Sequence, residues 1–107
     1  MIYIASPYSD IDERVIEKRY RGVARYTAKI LKEGEIAFSP IVHGHHISIQ
    51  YGLPETFDFW EKYCLGMLYN ACELRVLKLD GWQTSKGVTA EISFADEHGI
   101  PITFVNK

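Results

Sequence analysis

Cysteine is scarce in this sequence, and its only two copies, Cys64 and Cys72, are not arranged as a CxxC pair. That spacing argues against zinc-binding and thioredoxin-like motifs, and both side chains read as reduced core residues. An excess of one charge is also missing. Twelve Lys and Arg stand against 14 Asp and Glu, a net −2 with neutral histidines, which leaves no electrostatic footprint for duplex nucleic acid. No apolar run approaches the ~20 residues needed to cross a bilayer, so no membrane partner is expected. No basic n-region precedes the first strand-like run, so a secretory signal is not expected and the chain reads as cytoplasmic. Internal repeats and low-complexity tracts are absent. What is present suffices for one core: 47% of the 107 residues are hydrophobic and 24% are charged, which fits a single domain over residues 1–107.

Apolar periodicity divides the chain into alternating elements. Ile2 to Ala5 is a short buried-strand run, stopped by Ser6-Pro7-Tyr8-Ser9. Ser9 and Asp10 are good helix N-caps, and Asp10 with Glu13 has capping-box spacing. The helix that follows carries Val15, Val23, Ile30 and Leu31 at helical intervals and closes at Gly34. Glu35 to Phe38 reads as a second strand, ended by Ser39-Pro40. His43 to Pro54 lacks firm periodicity and reads as a loop with at most one helical turn. Trp60, Cys64, Met67, Leu68, Ala71 and Cys72 mark a second amphipathic helix. Leu74 to Leu79 is a strand leaving into Asp80-Gly81-Trp82, and Ser85-Lys86-Gly87 opens a third helix that Gly99 terminates. Pro101 to Val105 is the last strand. Such alternation implies an α/β fold with a parallel sheet of four to five strands between helical layers. Ligands of such sheets sit beyond the carboxyl ends of the strands, where three segments should meet: Ser6 to Ser9, Ser39 to His46, and Asp80 to Gly87.

Ser85 to Glu91 is the most informative stretch for chemistry. Ser85 can cap its helix, and the free amides of the first turn offer an anion site. Glu91 follows about a turn and a half later. On spacing alone two readings stand. In one, Ser85 only caps and Glu91 is a solvated helix residue. In the other, the Glu91 carboxylate attacks the anomeric carbon of a sugar whose 5′ end the amides hold. His43, His45 and His46 fall on the segment expected to face the site. They can contact a ligand or serve structure, and no Cys or Asp pattern completes a metal site. No metal or other cofactor is expected. Tyr8, Trp60 and Trp82 can stack on a base. Helical spacing favours packing for Trp60, which leaves Trp82 as the better stacking residue. The basic run of the first helix reads as a solvated face, from which Arg14 or Arg21 can reach a phosphate.

Tyr3-Ile4-Ala5-Ser6-Pro7-Tyr8, then Phe38-Ser39-Pro40, then Ser85-x-Gly87-x-x-x-Glu91, in this order, resemble the nucleoside 2-deoxyribosyltransferase superfamily. The patterns SPxxHxH, from Ser39, and LDGWxxSxGVxxE, from Leu79, are most similar to its small, often phage-borne members. The resemblance covers nearly the whole chain and implies a three-layer flavodoxin-like sheet. It implies a nucleoside or nucleotide ligand, with Glu91 as the nucleophile at C1′ and a hydrolase or transferase outcome. It also implies that Tyr3 orients that carboxylate and that Ser85 contacts a 5′-phosphate, with Ser6, Tyr8, Ser39, His43, His45, Trp82 and Gly87 around the ligand. A homo-oligomer follows from the same likeness. The chain departs from the pattern in one respect. The acidic residue expected on the helix before the catalytic strand falls at or near Cys64 or Leu65, which leaves Asp80 at the strand end as its substitute. The alternative is a nucleotide-binding or sensing module without efficient catalysis.

Overall fold

A computed structural model describes residues 1–107. Four strands form one sheet: β1 (Ile2–Ala5), β2 (Ala37–Phe38), β3 (Glu73–Lys78) and β4 (Ile102–Asn106). Their order is β2-β1-β3-β4 and every pairing is parallel. Four helices flank it: α1 (Glu13–Lys32), α2 (Pro40–Tyr51), α3 (Phe57–Tyr69) and α4 (Lys86–Glu97). This is the flavodoxin-like three-layer arrangement, with the strand order reversing between β1 and β3. The crossover after β1 runs to one side and the crossover after β3 to the other, which opens a crevice at the carboxyl ends.

Strand alternation explains the two cores. Tyr3, Ala5, Leu74 and Val76 point to one face, where Cys64 and Leu68 of α3 and Val88 and Ala95 of α4 pack on them. Ile2, Ile4 and Leu77 point to the other and meet Val23 and Ile30 of α1, with Ile41 and Val42 of α2 at the margin. Both central strands are thus covered on both sides, and β1 accordingly reads as a continuous apolar run. No helix is long and apolar enough to cross a membrane.

Several boundaries differ from the sequence expectation. The N-cap of α1 is Asp12, whose carboxylate accepts from the Arg14 amide at 2.9 Å. Asp10 instead accepts from the Asp12 amide at 2.9 Å, an Asx turn that extends the loop by two residues. The second strand is only Ala37–Phe38, because the Glu35 amide is still bound to Ile30 O in the helix-exit turn. The largest correction is α2, where a loop was expected. Ser39 caps it by accepting from the Val42 amide at 3.2 Å, Pro40 occupies the first turn, and Gly52 (φ +69) closes it. Its buried face consists of Gly44, His45 and Ser48, so no apolar stripe announces the helix. Cys64 is buried on α3. Cys72 lies beyond that helix and is exposed, and both thiols are free.

Candidate active site

The cleft lies at the β1/β3 switch point and has a volume of about 440 Å³, within the ~300–1,000 Å³ of small-molecule sites. Its walls come from six segments: the loop after β1, Arg19 of α1, the face of α2 from Pro40 to Ser48, the α2–α3 connection with the first turns of α3, the β3–α4 loop, and α4 itself.

Glu91 forms the floor. It faces inward from α4 and is only 4% exposed. Its one side-chain partner is the Tyr3 hydroxyl, which donates to Oε2. Burial pushes the Glu91 carboxyl up to about 8, and the Tyr3 hydrogen bond partly offsets this. Burial, reinforced by the Glu91 charge, raises the Tyr3 hydroxyl well above the usual phenol range. Beside them the Cys64 thiol is pushed up to about 12 by burial and by Glu91. Neither neighbour is therefore a ready proton source. The Ser6 hydroxyl, buried in the cleft wall, has no protein partner. A buried hydroxyl left unpaired costs ~1–3 kcal/mol, a penalty a bound ligand can remove.

Above the floor, Ser85 caps α4 by accepting from the Val88 amide at 3.2 Å. The amides of Lys86 and Gly87 fall in the first helical turn, where no intrahelical acceptor exists. Ser85, Lys86 and Gly87 all border the cleft. The Lys86 ammonium pairs with Asp58 at 2.5 Å. Arg19 ties the rim together, donating to Ser9 O at 2.9 Å and to Asp80 O at 3.2 Å. Gly81 turns the chain at φ +93, a conformation that strains any residue with a Cβ, and a Cβ there would displace the Arg19 guanidinium, whose Nη2 would lie 2.4 Å away.

A polar chain lines the opposite wall. Tyr8 Oη lies 2.6 Å from His45 Nδ1 and donates to Glu55 Oε2 at 2.9 Å. The other ring nitrogen of His45, Nε2, faces Glu17 Oε2 at 3.1 Å. Tyr20 stacks on the imidazole with centroids 4.0 Å apart, and His45 is 2% exposed. Burial and the Glu55 carboxylate hold the Tyr8 hydroxyl above the ordinary phenol range.

Of the residues expected in the site, Ser6, Tyr8, His45, Ser85, Gly87 and Glu91 line this cleft, and Tyr3 touches Glu91 beneath it. Asp80 does not line it. Its carboxylate is exposed and pairs with Lys107 at 2.9 Å, so it is not placed where the resemblance would need an acid. Ser39 is occupied in capping α2, and His43 stacks on Tyr63 outside the cleft. The two tryptophans exchange places: Trp82, in a 3₁₀ turn, packs against Phe104, whereas Trp60 borders the cleft together with Phe57. The cleft arginine is Arg19, while Arg14 pairs with Asp12 and Arg21 with Glu17. Arg19 sits on the inward side of a helix whose other basic residues are solvated. Only the helical phase distinguishes it from them. Glu55 carried no signal at all, because nothing in Leu53-Pro54-Glu55-Thr56 shows that it reaches back to Tyr8.

No group of three or more His, Cys, Asp or Glu side chains is placed to share a metal ion. No curated protein matches the chain. A family described as a domain of unknown function, DUF1937, matches it over residues 1–107.

Proposed function

Given that the chain belongs to the DUF1937 family, we propose from the chemistry of its cleft that it acts at the N-glycosidic bond of a 2′-deoxynucleoside or its 5′-monophosphate. The observation that carries this reading is Glu91, a carboxyl group sunk at the bottom of an open cleft and oriented by Tyr3. Burying a carboxyl group is costly, and no cation sits beside this one to compensate. The arrangement suits an attacking carboxylate held free of solvent.

In this reading Glu91 bonds to C1′ as the C1′–N bond breaks, leaving a glycosyl ester that water or a second base resolves, the two-step logic of retaining glycoside chemistry. Tyr3 keeps one carboxylate oxygen engaged and directs the other toward the sugar. Ser85 and the first-turn amides of α4 take the 5′-phosphate, with Lys86 adding positive charge at the rim. Trp60 and Phe57 offer the apolar surface against which a base can lie. The motif resemblance to the nucleoside 2-deoxyribosyltransferase superfamily supports the same assignment. A homo-oligomer belongs to this proposal on that likeness alone.

The test is a panel of deoxynucleosides and their 5′-monophosphates assayed for free base, with Glu91→Gln in parallel. Base release that Glu91→Gln abolishes is expected, with monophosphates preferred. Binding of nucleotides without any base release, unaffected by Glu91→Gln, would establish the second reading, a binding or sensing module.

A further inference from the structure

The glycosidic reading leaves a proton unaccounted for. An unactivated base departs with the electron pair of the C1′–N bond and needs a proton as it leaves, a contribution of ~10²–10⁴ in rate. Cys64 stands on α3 near Glu91, but burial and the Glu91 charge make its thiol hold its proton too firmly. Asp80 is outside the cleft. The wall opposite has what the floor lacks.

Counting protons along that wall shows why. His45 Nε2 faces the Glu17 carboxylate and so carries a hydrogen. Tyr8 has a single hydroxyl proton yet makes two close contacts, with Glu55 Oε2 and with His45 Nδ1. One proton cannot serve both. The network is complete only with one more, and that proton has two places to sit: on His45 Nδ1, with Glu55 a carboxylate, or on Glu55, with Tyr8 then donating to His45. The two states differ by a shift of two protons along short contacts. Tyr20 stacked on the ring and Glu17 at its far end, itself paired with Arg21, hold the imidazole in place. Tyr8, His45 and Glu55 all line the cleft.

We propose that Glu55 is the proton donor to the departing base, supplied through Tyr8 by His45, which Glu17 orients. This rests on the glycosidic reading and deepens it. In the first step a Glu91 oxygen bonds to C1′, the C1′–N pair goes to the base, and the Glu55 proton bonds to the base, leaving a Glu55 carboxylate and a neutral His45. In the second, water oxygen bonds to C1′ and the C1′–Glu91 ester pair returns to Glu91. The proton of that water goes to Glu55 or, through Tyr8, to His45. The chain ends with the proton it started with. Glu55 touches substrate and is the catalytic residue; Tyr8, His45 and Glu17 are positioning residues. The other charged groups bordering the cleft are Asp10, Arg19, Asp58 and Lys86, and His46 lies edge-on to His45.

Two substrates separate this role from a structural one: 2′-deoxyguanosine 5′-monophosphate and its N7-methylated form, whose cationic base leaves without a proton. Glu55→Gln is expected to lower kcat about 10²–10⁴-fold on the first and to leave the second near wild type. Tyr8→Phe and His45→Asn are expected to shift the alkaline limb of the pH–rate profile on the first substrate only. Equal loss on both substrates, or none on either, in a Glu55→Gln protein that melts within a few degrees of wild type overturns the proposal. The methylated substrate tests Glu91 alone. If wild type cleaves it and Glu91→Gln does not, the glycosidic reading stands whatever Glu55 does. If wild type cleaves neither these two nor any member of the panel, that reading fails and this proposal fails with it.

Discussion

Glu91 has one hydrogen-bonding side-chain neighbour and almost no water, so its protonation is tied to folding. The unfolded carboxyl titrates near its ordinary 4.5 and the folded one near about 8. Between those values the native state keeps a proton that the unfolded chain has lost. Stability is therefore full below the lower value, falls as pH rises, and levels off above the upper one. The whole loss is at most ~5 kcal/mol, taking about 1.4 kcal/mol per pH unit between the two values. Urea unfolding across this range should show the decline in wild type and a flat profile in Glu91→Gln. Tyr3→Phe removes the one interaction that favours the ionised form, so its decline should extend to a higher pH than in wild type. A Glu91→Gln profile that still declines would place the titrating group elsewhere. Base release, which needs the carboxylate, should rise with pH through a midpoint of about 8 before any alkaline limb.

At the scale of elements, the β3–α4 connection is set by a few local devices. Ser85 satisfies one of the orphan amides of α4, and Ser85→Ala should cost ~1 kcal/mol of stability. If Ser85 also meets a 5′-phosphate, that variant should raise KM for monophosphates and leave nucleosides unchanged. Gly81 turns the chain at φ +93 against the Arg19 guanidinium. Gly81→Ala should therefore cost ~1–3 kcal/mol through backbone strain, and displacing Arg19 should loosen the loop after β1. Chemical denaturation reads the first effect. Faster proteolytic cleavage of the loop after β1 reads the second.

For the whole molecule, the cleft depends on two cores meeting at one sheet. Residues from Ser6 to Glu91 reach it only because β1 and β3 lie side by side under helices that sit on opposite faces. Leu68 is fully buried one turn beyond Cys64, in the layer that supports the floor. Leu68→Ala should destabilise the fold by ~2–5 kcal/mol, which in a domain of this size lowers Tm by on the order of 10 °C or more. An unchanged melting temperature would mean that α3 closes the cavity by moving, and the position of Cys64 against Glu91 would then shift as well.

Much of this was legible in the residues themselves, where the signal is local. The strand runs at Ile2 and Leu74, the stops at Gly34 and Gly99, the Ser85 cap and the alternation implying a parallel sheet all rest on neighbours a few positions apart, and the fold follows from them. The helix at Pro40–Tyr51 escaped periodicity because Gly44, His45 and Ser48 form its buried face. Its Ser39-Pro40 start and Gly52 stop were nonetheless present. What only the tertiary structure decided is which residues share the cleft. Helical spacing could not tell that Trp60 faces it and Trp82 packs on Phe104. Nor could any local pattern join Glu17, His45, Tyr8 and Glu55, because their contact arises where separate crossovers converge on one sheet end.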